Sequence, residues 1–312
     1  MDIREVMEEK NWDTWLDAFT AMTQFPPHVC EVLSESLRKL EQSDGFDTFC
    51  DALHNYEVSG SCGAFIEVCS TAAARAQIHP YTAYALFCIG MAKTLRKFYE
   101  KRGIPQQIWL ESMCDLRYKV QLCILLNHVV GTHIPEWFVG FFELKRFAFG
   151  RLQFEPRPFW LDQYTKNGKS VYKGDPVIFV HIPRTFTPLD YSAVCEAYDR
   201  AADFFKKELD NIPLAFVCES WLLDPVNKKL LAPDSNICRF ANDFDILRVD
   251  ENQQDRFCDM WRIFNMEYTG NVGDYPENTS LQRAYKAYLS AGGMTARGHG
   301  AFFYEPDRFS AH

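Results

Sequence analysis

Pro176-Val177-Ile178-Phe179-Val180-His181-Ile182-Pro183-Arg184-Thr185-Phe186-Thr187-Pro188-Leu189-Asp190 is the stretch on which the fold turns. Val177–Val180 is an unbroken apolar run, as a strand covered on both faces requires. His181-Ile182-Pro183 ends it. Beyond Asp190, Val194, Ala197, Tyr198, Ala201, Phe204, Phe205 and Leu209 recur at the period of a helix with one buried face. Thr187 suits an N-cap, Pro188 the first helical position, and Asp190 the first turn, where a negative charge favours the helix start. A strand feeding a helix N-terminus aims backbone N–H groups into a crevice, a geometry that binds anions and phosphates. The same pattern also makes an ordinary strand–helix unit without a ligand, and both readings stay open.

Working outward, Leu214–Cys218 is a second apolar strand, running into Glu219-Ser220-Trp221-Leu222-Leu223-Asp224-Pro225. Pro233-Asp234-Ser235-Asn236 caps a short helical turn, Ile237–Phe240. Phe244–Val249 reads as a strand and Gln253–Phe264 as a helix. Tyr268–Asn278 is polar and Gly-containing, a candidate lid loop. Thr279 and Gln282 form a capping box for a helix ending at Gly292-Gly293. Arg297–Tyr304 is a last strand with Gly298 and Gly300 in it. On the other side, Gly150-Arg151-Leu152-Gln153-Phe154-Glu155 alternates polar and apolar residues, as a half-buried antiparallel strand does. Asn167-Gly168 is a hairpin turn, and Lys169–Lys173 returns from it.

Residues 1–147 read almost entirely as helix: Ile3–Thr20, His28–Leu40, Phe46–Leu53, Phe65–Ala76, Tyr81–Tyr99, a long helix from Pro105 to Val130 stopped by Gly131, and Pro135–Arg146. The expectation is an α+β protein: a helical N-terminal domain, residues 1–147, and a mixed-sheet domain flanked by helices, residues 148–312. His128 and His133 are not at the spacing that puts two ligands on one helix face, so no metal site is expected. Asp115 and Arg117, inside an apolar helix, read as a structural ion pair.

The chain has 312 residues, of which 47% are hydrophobic and 24% charged, enough to bury a proper core. Its net charge of −9, without a basic block, argues against nucleic acid or an anionic membrane as partner. Its 11 cysteines are an odd count, scattered singly and without Cys-x-x-Cys, as reduced thiols used as small apolar residues are. No stretch approaches the ~18 apolar residues of a membrane span. Met1-Asp2-Ile3-Arg4-Glu5 lacks an apolar signal core, so a cytoplasmic protein is expected.

A helical region, then Gly150–Glu155, Val180-His181-Ile182-Pro183, Ser220–Pro225, and Pro233-x-Ser235-Asn236-Ile237-x-x-Phe240, in this order, resembles a bacterial family of acyltransferases. Its members pair a helical N-acyltransferase-type N-terminal domain with a GNAT-like C-terminal domain. The resemblance covers essentially the whole chain. It implies transfer of an acyl group, acetyl or longer, from acyl-coenzyme A to an amine of a small molecule or peptide. It further implies that Val177–Ile182 is the fourth GNAT strand, Pro183–Thr187 the diphosphate loop and Leu214–Trp221 the fifth strand. The cofactor-binding residues would be Val180, Ile182, Arg184, Thr185, Phe186, Thr187 and Trp221. Arg184, Thr185 and Thr187 would offer a charge and hydroxyls to phosphate oxygens. The loop departs from the family pattern: it has no glycine where backbone ordinarily approaches the diphosphate.

Acyl transfer to an amine needs a base for the ammonium proton and an acid for the departing thiolate. Glu219, at the end of the fifth strand, and His181, at the end of the fourth, are the candidate bases; each is also explicable as an ion-paired or loop-holding residue. Ser220 is a candidate for assisting the thiolate, and Ser235 and Asn236 for the acceptor, although such residues also serve as caps and turn formers. Cys218 reads as a core thiol. Three functions follow: an acyl-coenzyme A-dependent N-acyltransferase; a non-catalytic GNAT-like protein binding a metabolite or peptide beside a degenerate coenzyme A loop; and an interaction protein, which an exposed aromatic patch in Pro135–Phe149 would support.

Overall fold

The computed structural model describes residues 12–206, 213–252 and 255–306. The chain divides into two compact units: one runs to Ala148 and takes in Pro183–Phe186, the other comprises Phe149–Ile182 and Thr187 onward.

The first unit is built of α1 (Trp12–Met22), α2 (Pro27–Glu41), α3 (Phe46–Ser59), α4 (Phe65–Ala76), α5 (Pro80–Lys101) and α6 (Gln106–Asn127). The part of the expected first helix before Trp12 lies outside the described residues. Helix α5 is the centre: every residue from Thr82 to Ile89 is buried, as in a helix surrounded by others. Gly90 lets it be approached, since a Cβ there would fall 2.5 Å from the Trp12 ring. Helix α6 ends earlier than expected, at Asn127, because His128 takes the left-handed conformation with φ 57°. Gly131 serves a close approach instead: its Cβ would lie 2.3 Å from the Tyr81 carbonyl carbon, and Thr132 N–H donates to Tyr81 O at 2.9 Å.

The expected ion pair of Asp115 with Arg117 does not form. Asp115 faces Lys119 at 3.7 Å, and Arg117 reaches Gln24. Residues four apart share a helix face and residues two apart do not. The expected Pro135–Arg146 helix is a 3-10 turn, Pro135–Phe138, followed by a single α-turn, Val139–Phe142. Arg146 folds back over the Trp137 ring at 3.7 Å and donates to the Trp137 carbonyl, which closes the segment on itself. Phe138, Phe141 and Phe142 are buried, which weakens the reading of an interaction protein with an aromatic patch there.

The second unit holds a mixed sheet. Its strands are β1 (Phe147–Phe149), β2 (Leu152–Pro158), β5 (Pro176–His181), β6 (Ala215–Ser220), β7 (Asp245–Glu251) and β8 (Ala296–Phe303), in the order β1-β2-β5-β6-β8-β7. A separate hairpin joins β3 (Gln163–Lys166) to β4 (Lys169–Tyr172). Asn167 and Gly168 both have positive φ, 51° and 75°, as a two-residue hairpin turn demands. Helix α7 (Tyr191–Phe205) makes the crossover between the parallel strands β5 and β6.

Helix α7 starts later than expected. Its N-cap is Asp190, whose Oδ1 accepts the Ala193 N–H at 2.9 Å, and not Thr187. Phe186 turns left-handed at φ 61° and Pro188 O accepts the Asp190 N–H at 3.0 Å, so the chain makes an open turn before the helix. The expected end of this helix at Leu209 lies outside the described residues. The expected Gln253–Phe264 helix is instead a run of turns ending in one helical turn, Trp261–Phe264; residues 253 and 254 lie outside the described residues. Asp259 breaks it by taking φ 66°. Ser235 caps α8 (Asn236–Asn242), and the capping box of Thr279 and Gln282 opens α9 (Ser280–Ser290).

Register assigns each strand residue to a face. Phe154 opposes Val180, and Phe216 opposes Phe302; with Tyr198 of α7 they form one face, their rings 5.1–6.3 Å apart. Val177, Phe179, Ala215, Val217, Ala301 and Phe303 lie on the other face and pack against Phe159, Tyr164 and Val171.

Candidate active site

Two residues further along each strand, the second face turns polar. Beyond Val177 and Phe179 comes His181; beyond Ala215 and Val217 comes Glu219; before Ala301 come His299 and Arg297; and Gln153 and Glu155 line up on β2. The parallel register of β5 and β6 pairs Ile178 with Phe216 and Phe179 with Val217, yet the strands run on to His181 and Ser220. Their pairing ends at Phe179 and Val217, and His181 and Glu219 each stand two positions beyond that last pair, on the same face.

These groups are held by neighbours that the strand register brings alongside. His181 Nε2 lies 3.2 Å from Glu155 Oε2, and Arg157 Nε lies 3.0 Å from the other carboxylate oxygen of Glu155. Gln153, opposite His181, is buried, and its side-chain carbonyl has no hydrogen-bond partner among the described residues. On the far side, Glu219 is 43% exposed and faces His299 Nδ1 at 3.7 Å and Arg297 Nη1 at 4.0 Å. His299 is buried against the Trp160 ring, 5.7 Å centroid to centroid, and its Nε2 lies 3.0 Å from Asp250 Oδ2. Arg297 Nε also binds Asp259 at 2.7 Å, and Arg262 binds the same carboxylate at 2.8 Å. Burial pushes the Asp259 carboxyl up, but the hydrogen bonds from Arg297 and Arg262 outweigh it and hold it below the usual carboxylate range. Hydrogen bonding from Arg248 is the main cause holding exposed Asp250 low.

Ser220 points to the other face and caps a 3-10 turn, Trp221–Leu223, its Oγ accepting the Leu222 N–H at 3.1 Å. Trp221 begins that turn and packs against Tyr285. Ser235 accepts the Cys238 N–H at 3.2 Å as the cap of α8, and Asn236 is the first residue of that helix. Burial, and secondarily the Glu219 charge, push the Cys218 thiol far up, in keeping with a core thiol. Val180 is buried on the α7 face, while Ile182 and Thr187 lie just past β5 and before α7. Arg184, Thr185 and Phe186 group with the first unit, the Arg184 guanidinium 5.2 Å from the Phe186 ring centroid.

The start of α7 is capped by the Asp190 carboxylate, which accepts the Ala193 N–H at 2.9 Å. A cavity of about 280 Å³ lies in the first unit, lined by Trp12, Trp15, Cys50, His54, Lys93 and Lys97 among others, and none of the candidate site residues touches it.

Reading the sequence alone missed His299, Asp250, Arg297, Asp259, Gln153 and Glu155. A signal for two of them was present: the alternation in Gln153-Phe154-Glu155 predicts solvent-facing polar positions, whereas Gln153 and Glu155 are buried on the face of the candidate site. Nothing local in the sequence places Asp250 beside His299.

Residues 147–302 match the family described as the GNAT-like C-terminal domain, and residues 15–144 the family described as the N-acyltransferase N-terminal domain. No curated protein matches the sequence. Among solved structures, an acyltransferase in complex with decanoyl-CoA is 21% identical, covers 93% of this chain and 87% of its own, and superposes with TM-score 0.66. An acyltransferase in complex with CoA and 10C-teicoplanin is 24% identical over 76% of this chain and 68% of its own, with TM-score 0.62. One in complex with decanoyl-CoA and teicoplanin is 21% identical over 97% and 87%, with TM-score 0.62. At such identities the likeness is one of fold.

Proposed function

This chain belongs to the family that joins an N-acyltransferase N-terminal domain to a GNAT-like C-terminal domain, and from that premise we propose that it transfers an acyl group from an acyl-coenzyme A to the amine of a small molecule. The observation that supports this most directly is that β5–β6 pairing ends at Phe179 and Val217 while His181 and Glu219 follow two positions further on the same face. The structural neighbours were solved with CoA, decanoyl-CoA and teicoplanin, which favours a medium-chain acyl donor over acetyl and a small-molecule acceptor over a peptide.

In this reading the thioester arm lies along the ends of β5 and β6. Glu219 or His181 removes a proton from the acceptor ammonium. The free amine attacks the thioester carbonyl, a C–N bond forms, the C–S bond breaks, and the thiolate leaves with a proton. Glu219 is half-exposed, so it can meet an acceptor arriving from solvent. Val180, Ile182 and Trp221 stand close in sequence to these groups and would border the arm; Arg184, Thr185, Phe186 and Thr187 would meet the nucleotide end, and Ser235 and Asn236 the acceptor.

The test is coenzyme A release from acetyl-, octanoyl- and decanoyl-CoA in the presence of an amine panel, with calorimetric binding of each donor to wild type and to Arg184→Ala. Saturable binding and amine-dependent release, both weakened in the variant, support the reading. If no donor binds the folded protein, the reading fails. A second reading, a non-catalytic binder at the same strand ends, is favoured by the glycine-free loop. Binding without release for every amine would decide for it.

A further inference from the structure

We propose that Glu219 and His299 together take up one proton during transfer, with Asp250 fixing the imidazole, so that His299 is the positioning residue for the base Glu219. The proposal rests on the acyl-transfer reading above for its chemistry and on the strand geometry for its existence.

His299 lies directly across from Glu219 in the antiparallel β6–β8 register. Its side chain is only 7% exposed. An ionised carboxylate only accepts hydrogen bonds, so at the 3.0 Å contact with Asp250 it is Nε2 of His299 that carries the hydrogen. In the neutral ring Nδ1 is then a lone pair. Nδ1 is buried and has no hydrogen-bond partner among the described residues, and it faces the Glu219 Oε2 at 3.7 Å. With no proton between them, a lone pair and a carboxylate confront each other, which is unfavourable in a half-buried setting. One proton on either partner turns the confrontation into a charge-assisted hydrogen bond. The two carboxylates address opposite ring nitrogens and do not converge on a metal position.

The neighbouring cations have carboxylate partners of their own. Glu219 on β6 and Asp250 on β7 are the anions facing the ring. Arg297 on β8 stands 4.0 Å from Glu219 but is committed at 2.7 Å to Asp259, and Arg248 on β7 is committed to Asp250. Trp160 covers the ring face, and the Glu155–His181 pair joins β2 to β5. During transfer an N–H bond of the acceptor ammonium breaks as an O–H bond forms on Glu219. That proton moves to His299 Nδ1, giving an imidazolium steadied by Asp250. It returns through Glu219 to the departing thiolate, so the pair ends as it began.

Two measurements test this on the full chain. In 15N-histidine NMR without any substrate, the neutral His299 ring is expected in the Nε2–H form, which leaves Nδ1 able to take a proton from Glu219, and a ring in the Nδ1–H form overturns the proposal. In steady-state assays, His299→Gln keeps an amide donor for Asp250 but cannot take the proton. It is expected to lower kcat at least ~10-fold with KM for the acyl donor changed less than about twofold. The Glu219→Gln/His299→Gln double variant is expected to be no slower than Glu219→Gln alone, and fully additive losses overturn the proposal. Should His299→Gln fail to fold, the NMR arm decides by itself. Because that arm needs no turnover, failure of the proton uptake is distinguishable from failure of the acyl-transfer reading, which shows as a wild type that transfers nothing.

Discussion

The two faces of the C-terminal sheet are made by the same strands and do opposite work. Beneath α7, Phe154, Phe216, Phe302 and Tyr198 interlock as a dry aromatic layer. On the opposite face Val177, Phe179, Val217 and Ala301 are equally dry, but two residues along each strand the row becomes His181, Glu219 and His299. That is also where β5 and β6 stop pairing. Charged side chains must keep access to water or to each other, and the strand ends supply it without disturbing the layer underneath. The comparison teaches that a period of two lets one strand hold the fold with one set of side chains and gather polar groups with the other.

Phe216→Ala tests the dry face. The ring is fully buried and touches Phe154, Tyr198 and Phe302, so its loss is expected to cost about 3–5 kcal/mol in urea unfolding. A loss under ~1 kcal/mol would break the comparison, because that layer would not be carrying the fold. Gly298→Ala tests how the faces are coupled. A Cβ at 298 would meet the Leu223 carbonyl oxygen at 2.2 Å, backbone against side chain with nothing flexible to yield. Strand β8 must shift, and it carries Arg297 and His299 with it. The expected cost is about 2–3 kcal/mol in thermal unfolding, together with loss of acyl transfer.

Much of this was legible in the sequence because the signals are local. The apolar run Val177–Val180, the Asn167-Gly168 turn and the Thr279–Gln282 capping box each depend on residues a few positions apart. The start of α7 was misplaced because Thr187, Pro188 and Asp190 satisfy helix-start rules in two registers, and the left-handed Phe186 selects the later one. The helix expected over Gln253–Phe264 failed for a different reason. Its apolar spacing is helical, but Asp259 spends its backbone conformation on reaching Arg297, which is 38 residues away. The partners of the site were illegible for that same reason: His299 meets Asp250 and Glu219 only through sheet register, which no spacing in the sequence encodes.

Asp259→Asn probes the support behind the polar row. Hydrogen bonds from Arg297 and Arg262 hold the carboxyl below its ordinary range against the effect of burial. A carboxyl lowered in the folded state contributes stability that is present above its unfolded value, near pH 4, and that is lost as pH falls through the folded value. Both arginines are 39% exposed, so the variant is expected to lose only about 1–2 kcal/mol at pH 7. Melting temperatures of wild type and variant should converge as pH drops below 4. A gap that persists at pH 2 would mean the residue acts through packing and not through charge.

The smallest stability effect is expected at Glu155→Gln, and it sharpens the comparison most. Glu155 binds Arg157 at 3.0 Å and His181 at 3.2 Å, but Arg157 is 43% exposed and solvent screens that pair. The glutamine oxygen can keep the contacts to His181 and Arg157 Nη2 while its amide takes the place of the oxygen facing Arg157 Nε, and with the charge gone unfolding should change by no more than about 1 kcal/mol. Transfer should fall by about tenfold, because His181 loses the anion that orients its ring at the end of β5. Stability and activity therefore separate on this face, where on the α7 face they fall together. If Glu155→Gln instead lowered stability by 2 kcal/mol or more and left transfer intact, the polar row would be a structural brace, and the assignment of chemistry to that face would have to be abandoned.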